Sequence, residues 1–483
     1  SNNSFQNNQC ALGAGGINST FSITDSTITN HNSEEMLIGL SEADINLINL
    51  TIKDSNVASL VYLNLNVDPT KRLTVQDVTI VNVKSKITLF SAIGGYVTFS
   101  NVLIDQVKSE AEIVVFSQQG NGTCEIFDTT FSSLQSESKV STSLSSMNTT
   151  SFTLGNFTMR QNLVCGALFE NTSLTVKNSH FASNQCLPQG NGLPLAILTN
   201  SLSNSVVVKN TEFLSNTALS GSLFFMNSTT TIDKVRFDGN QAVQGAAIFT
   251  AGSEITVRDS TFSDNSAMAM GGAVMFTQSN ATIDNSTFQH NQSPEGAAIV
   301  IKDAYEINIR NSVGIRNNST NGSFINAEGE FLQLKVMDVE VDESFDNSLF
   351  LQYPDRAIFK NAKFNCKVKC QVLEKLTPRP IVQNDDDDEK NKKEEKVERK
   401  QEVVDKNNDN DDIDNPDVDI ENENENKDLE NLANETDNIS LPIIWVMIPL
   451  SFIIAAVLFI KCGPRGLQKM INKLFKDNGK REL

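Results

Sequence analysis

The stretch FSDNSAMAMGGAVMF, residues 262–276, places an Asn three residues after a Phe and closes on Gly-Gly-Ala followed by aliphatic and aromatic residues. Paired glycines would weaken a helix, and the run is too apolar for a surface loop. It is one of a set. FDGNQAVQGAAIF starts at Phe237, FQHNQSPEGAAIV at Phe288, FLSNTALSGSLFF at Phe213 and the looser FQNNQCALGAGGI at Phe5. A second pattern lies between these blocks: apolar-x-apolar-x-Asp/Asn-x-x-apolar. It reads ITVRDSTF at 255–262, ATIDNSTF at 281–288 and LTVQDVTI at 73–80.

The last apolar residue of the second pattern sets a register: Ile28, Ile52, Ile80, Ile104, then Phe131, Phe157, Phe181, Phe213, Phe237, Phe262, Phe288, and finally Ile315, Val341 and Phe364. The gaps run from 23 to 32 residues, and a fixed period of this size signals a solenoid. Each repeat holds short alternating runs of Val, Ile, Thr and Phe bounded by Asn, Asp, Ser and Gly, which are strand and turn signals. None carries a helical stripe. The expectation is an all-β chain: a parallel β-helix of about 14 coils, each burying its inner face against its neighbours.

Six Asn residues fall three positions after the register residue in successive coils: Asn184, Asn216, Asn240, Asn265, Asn291 and Asn318. Asn tolerates left-handed turn geometry, and stacked amides can bond along an axis. They are expected to form a structural ladder, and the register Phe residues an internal aromatic column. Gly271 and Gly272 allow a tight bend and close backbone approach.

The pairing of FxxN with GGA-aliphatic, as in Phe262 to Asn265 with Gly271 to Val274, or Phe237 to Asn240 with Gly245 to Ile248, resembles the repeats of the chlamydial polymorphic outer membrane proteins. These lie within the broad right-handed β-helix, or pectin-lyase-like, class. The resemblance implies a right-handed parallel β-helix exposed at a surface as an adhesive rod. Where those proteins carry an autotransporter barrel pattern, an apolar segment stands here. That arrangement resembles the single-pass β-helix surface proteins of protists.

Composition divides the chain into a β-helix at 1–376, an acidic disordered stalk at 377–440, a transmembrane helix at 441–460 and a basic cytoplasmic tail at 461–483 with a short amphipathic helix. Residues 385–437 hold 23 acidic and 8 basic side chains, so this segment carries most of the net charge of −20. No aromatic occurs between Phe364 and Trp445, and such a segment cannot offset its ordering entropy. LPIIWVMIPLSFIIAAVLFI, residues 441–460, has no charge over the length that spans a bilayer. Basic residues follow it, which puts the tail in the cytoplasm and the β-helix outside or in a lumen. The chain opens on SNNSF, already inside a repeat, and reads as a fragment or processed product.

Sixteen Asn-x-Ser/Thr sequons fit a secretory route. Asn121, Asn156, Asn227, Asn280, Asn285 and Asn321 are the glycosylation candidates. Seven cysteines are too few for a disulfide scaffold, but Cys165 with Cys186, and Cys366 with Cys370, are candidate bridges. Catalytic, cofactor and metal sites are expected to be none. The repeated acids Asp25, Asp77, Asp128, Asp259 and Asp338 share a turn position with Asn, which is turn chemistry rather than a poised carboxylate pair. His31, His180 and His290 have no nucleophile motif beside them. The acidic balance argues against nucleic acid as a partner. The reading is a single-pass membrane surface protein whose β-helix adheres, recognises or shields, with a glycan or protein as ligand. The alternatives are a polysaccharide lyase or glycoside hydrolase of the β-helix class, and a non-binding spacer.

Overall fold

Fifteen register positions, from Phe5 to Phe364, pair in parallel one upon the next. The computed structural model describes residues 3–6, 20–32, 38–41, 43–64, 70–138, 141–186, 205–320, 322–329, 332–342 and 349–365. The chain divides into Ser1–Lys375 and Leu376–Leu483, and the expected stalk, membrane helix and tail lie outside the described residues. Among the described residues, the only helical segment is a short 3-10 turn at Pro354–Arg356, and no helix is long and apolar enough to cross a membrane. Strands gather into sheets of 30, six and two strands.

One coil shows how the sequence makes the unit. Strands Glu254–Arg258, Thr261–Ser263, Ser266–Met270 and Val274–Thr277 are separated by corners. The first corner is Asp259-Ser260, the second Asp264-Asn265, the third Gly271-Gly272-Ala273 and the fourth Gln278-Ser279. Asp259, Asp264, Gly271 and Gln278 all have φ between 48° and 70°. At the first corner this left-handed residue is Asp or Asn in coil after coil from Asp25 to Asn361, with Lys234 the one departure. Their short polar side chains make that backbone geometry accessible to a non-glycine residue.

The third corner explains the opening stretch. A Cβ on Gly271 would sit 3.1 Å from the Met275 Cβ, and one on Gly272 would sit 2.4 Å from the Ala297 carbonyl oxygen. Glycine therefore lets the corner fold against its own fourth strand and the next coil. Phe224, Phe249, Met275 and Val300 on the fourth strands lie outside the main core cluster, yet all are buried. Ala242, Ala246 and Ala267 form a small satellite core at this corner.

Inside the main core, Phe181, Phe213, Phe237, Phe262 and Phe288 stack with centroids 4.6–5.1 Å apart and planes within 10°. Two register assignments need correction. In the coil after Phe131 the paired residue is Met159, not Phe157. The left-handed corner there is Asn156, so alternation counted from it selects Met159, while Phe157 fills the corner and touches Phe131 edge-on. In the coil after Phe288 the paired residue is Gly314, not Ile315. Phe324 supplies the missing ring: a Cβ on Gly314 would collide with it, and it meets Phe288 edge-on at 6.0 Å.

Candidate functional surface

The Asn column is a hydrogen-bonded ladder at the second corner. Asn184 Nδ2 donates to Asn216 Oδ1, Asn216 to Asn240, Asn240 to Asn265 and Asn265 to Asn291, each at 2.9–3.0 Å. The other hydrogen of each amide goes to a carbonyl of the preceding coil, as Asn265 Nδ2 does to Phe237. Each Oδ1 accepts a backbone N–H as well, as Asn265 Oδ1 does from Asn240. Every amide thus spends both hydrogens and both lone pairs, and each Asn ties three coils. All are fully buried, the condition under which an unmet polar group is most costly.

The ladder's ends differ from the sequence reading. Asn318 is exposed and takes no place in it; Asn317 is the buried member that accepts from Asn291 at 2.9 Å. The cause is the Gly314 register, since Asn317 is three residues beyond Gly314. At the other end, Asn162 joins by donating to Asn184 at 2.9 Å. It is three residues beyond Met159, and the misassigned Phe157 concealed it.

Two further internal ladders escaped the sequence reading. At the first corner the Ser after the left-handed residue is buried, and Ser260 N donates to Ser286 Oγ and Ser286 N to Ser312 Oγ. At the fourth corner Ser228 N donates to Ser253 Oγ and Ser253 N to Ser279 Oγ. The signal was the Ser inside DSTF and NSTF. Three corners therefore share one device: an exposed left-handed residue, then a buried side chain that accepts from the preceding coil.

Outside, first-corner Asn residues donate to Asp residues of the preceding coil: Asn49 to Asp25, Asn101 to Asp77, Asn156 to Asp128 and Asn285 to Asp259. Asp never follows Asp directly in this column, which separates like charges that the strand spacing of ~4.8 Å would otherwise juxtapose. On the first strands, Thr74 pairs with Thr98, Thr153 with Thr175, Thr231 with Thr256, and Thr256 with Thr282, giving the outer face a band of hydroxyls.

Several ionisable side chains on these outer faces have partners. His180 Nδ1 lies 3.1 Å from Glu212 Oε2, Arg236 lies between Glu212 and Asp238, and Lys209 lies 3.0 Å from Asp233. Lys108 bonds Glu137 and lowers its carboxyl below the ordinary range, and Lys335 does the same to Glu306. Burial opposes ionisation of Asp284, but hydrogen bonds from Asn311 and Arg310 outweigh it and lower its pKa. Burial raises the Cys124 thiol, as for any core Cys. Among the described residues, no three His, Cys, Asp or Glu side chains come together as a metal site.

Cys165 and Cys186 form a disulfide with Cα atoms 4.6 Å apart. Cys366, Cys370 and Asn321 lie outside the described residues. Asn121, Asn156, Asn227, Asn280 and Asn285 are exposed.

A family model described as "Right handed beta helix region" matches residues 195–364. No curated protein and no solved structure matches the chain. The match and the parallel strands stacked through that interval support a right-handed β-helix there, and parallel strand pairing continues through the described residues before it.

Proposed function

We propose that this chain is a single-pass membrane surface protein that displays its β-helix for adhesion, recognition or shielding. The observation that carries the reading is the outer hydroxyl band at Thr231, Thr256 and Thr282, beside carboxylates already paired with cations. Such a face offers donors and acceptors at a regular strand spacing of ~4.8 Å to an extended ligand. The uncharged segment at 441–460, with acidic residues before it and basic ones after, supports an anchor with the β-helix outside. Resemblance of the FxxN and GGA repeats to chlamydial polymorphic outer membrane proteins supports adhesion as the use.

The test has two parts. Protease added to intact cells should digest or release the β-helix and spare the tail; protection of the β-helix would end the reading. Full-length protein in nanodiscs should then bind particular glycans on an array or a protein in the opposing cell's membrane. Release of unsaturated or reducing sugar from acidic polysaccharides would replace display by the lyase or hydrolase alternative.

A further inference from the structure

The described residues include eleven sequon asparagines, and the fold sorts them. Asn291 and Asn317 are fully buried in the ladder. Asn291 Nδ2 gives one hydrogen to Phe262 O at 3.0 Å and the other to Asn317 Oδ1 at 2.9 Å. Asn317 Nδ2 donates to Phe288 O. An N-glycan replaces one amide hydrogen with a bulky group, so neither residue can carry one inside the folded coil.

Eight of the others are exposed on or beside the two corners that border the first-strand sheet. Asn121, Asn148, Asn171 and Asn227 lie along the fourth corner, three of them with φ between 47° and 56°, and Asn280 opens the first strand just after it. Asn49, Asn156 and Asn285 lie along the first corner. Each of these three is shown donating one Nδ2 hydrogen, to Asp25, Asp128 and Asp259 in turn. The second hydrogen is the one a sugar would replace, so glycan and outer ladder are compatible. Asn318, at the second corner, is the one exposed described sequon elsewhere.

We propose that N-glycans occupy these two border columns while Asn291 and Asn317 stay bare, so that the β-helix has a sugar-flanked first-strand face and an open side made by the second and third strands, interrupted among the described residues only at Asn318. The inference rests on the proposed extracellular or lumenal placement. In the step itself, Asn Nδ2 forms a bond to C1 of a lipid-pyrophosphate-linked oligosaccharide. The C1–O bond to phosphate breaks, the lipid pyrophosphate leaves with that electron pair, and Nδ2 gives up one proton. Any partner that docks on protein rather than sugar then meets the open side, where Glu212, Arg236 and Asp238 stand.

The experiment uses the full chain in two forms: native protein, and protein secreted by a eukaryotic host behind a strong heterologous leader. Enzymatic deglycosylation in heavy-oxygen water marks each formerly glycosylated Asn in peptide mass spectra. The expected result is marks at the border columns and none at Asn291 or Asn317 in the protease-resistant fraction. Thr287→Ala should remove the mass of one glycan, that of Asn285; Ser293→Ala, which deletes the Asn291 sequon, should remove none. A mark at Asn291 in folded protein, or bare border columns in the secreted form, overturns the sidedness. A bare native protein beside a correctly marked secreted one overturns the placement instead.

Discussion

The coils before residue 132 and those after residue 205 solve the same problem differently. In the first region strands run on for 14 or 20 residues, as in Asp44–Val57, Arg72–Ser85 and Phe90–Ser109. In the second they are three to five residues long, as in Thr229–Asp233, Arg236–Asp238, Glu254–Arg258 and Thr261–Ser263. Yet both bend at left-handed residues, Asp77 and Asn82 in one and Asp259 and Asp264 in the other. The difference is the next residue. It is Val78 and Val83 in the early coils, where backbone pairing continues through the corner to Val102 and Val107. It is Ser260 and Asn265 in the late coils, where side chains take over the bonding. The bend thus comes from the left-handed residue, and what the following coil presents decides the pairing: Ser260 takes the Val235 N–H, whereas Ser26 and Ser55, facing Leu50 and Val83, stay in the backbone ladder.

Substitutions can break this contrast in order of size. Phe262→Ala removes a fully buried ring from the stacked column and should cost about 3–5 kcal/mol. Ile80→Val, in the early coils, should cost about 0.5–1.5 kcal/mol. Urea midpoints measure both, and equal shifts would show that the stacked column has no special weight. Next, Asn265→Leu strands the Asn240 amide and the Phe237 carbonyl, at roughly 1–3 kcal/mol for each unmet group. Asn265→Asp should also destabilise, because a carboxylate cannot donate to Asn291. If Asn265→Leu is tolerated, an apolar corner of the early type works in the late coils too.

The Cys165–Cys186 bridge lies between the two regions and closes a separation of 21 residues. Replacing both with Ala should lower stability by about 2–4 kcal/mol in chemical denaturation. Asp259→Asn should shift the midpoint by under about 0.5 kcal/mol, since Asn285 still finds an oxygen to donate to. The smallest effect concerns pH. Glu137 and Glu306 have lowered carboxyl pKa values, so their ion pairs contribute above the ordinary Glu value of about 4.3 and are lost as pH falls through the lower folded values. Carboxyl NMR titrations should show lower midpoints for these two than for unpaired Glu residues, and Lys108→Met should raise that of Glu137.

Much of this architecture could be read from the sequence because a corner needs a specific residue. Left-handed geometry favours Asn, Asp and Gly, which stand out against Val and Thr, although Ser215, Gln278 and Lys234 also take it. FxxN exposed the second-corner ladder for a different reason: the left-handed φ belongs to the residue before each Asn, and the Asn recurs because its buried amide both donates and accepts along the axis. The Ser ladders did not stand out, because Ser is common throughout this chain and its buried and exposed copies look alike in sequence. Asn162 and Asn317 were missed through the register, not the chemistry. Phe157 looked like a core ring of the column although it sits in a corner, and Gly314 gave no apolar mark because Phe324, ten residues on, supplies the ring. A contact made by a residue from another strand of the coil has no signature in a pattern counted along the chain.

The Asn ladder also has a direction, because each amide nitrogen points to the oxygen of the following coil from Asn162 to Asn317. Its members stand at unequal sequence separations, yet every rung is alike. A whole coil is therefore a unit that can be spliced. Removing residues 240–264 would join Gly239 to Asn265 and leave Asn216 facing an identical acceptor, whereas a cut of another length would put a residue other than Asn at that place and leave the Asn216 amide without its acceptor. Gain or loss of an intact turn therefore lengthens or shortens the stack without redesign of any joint.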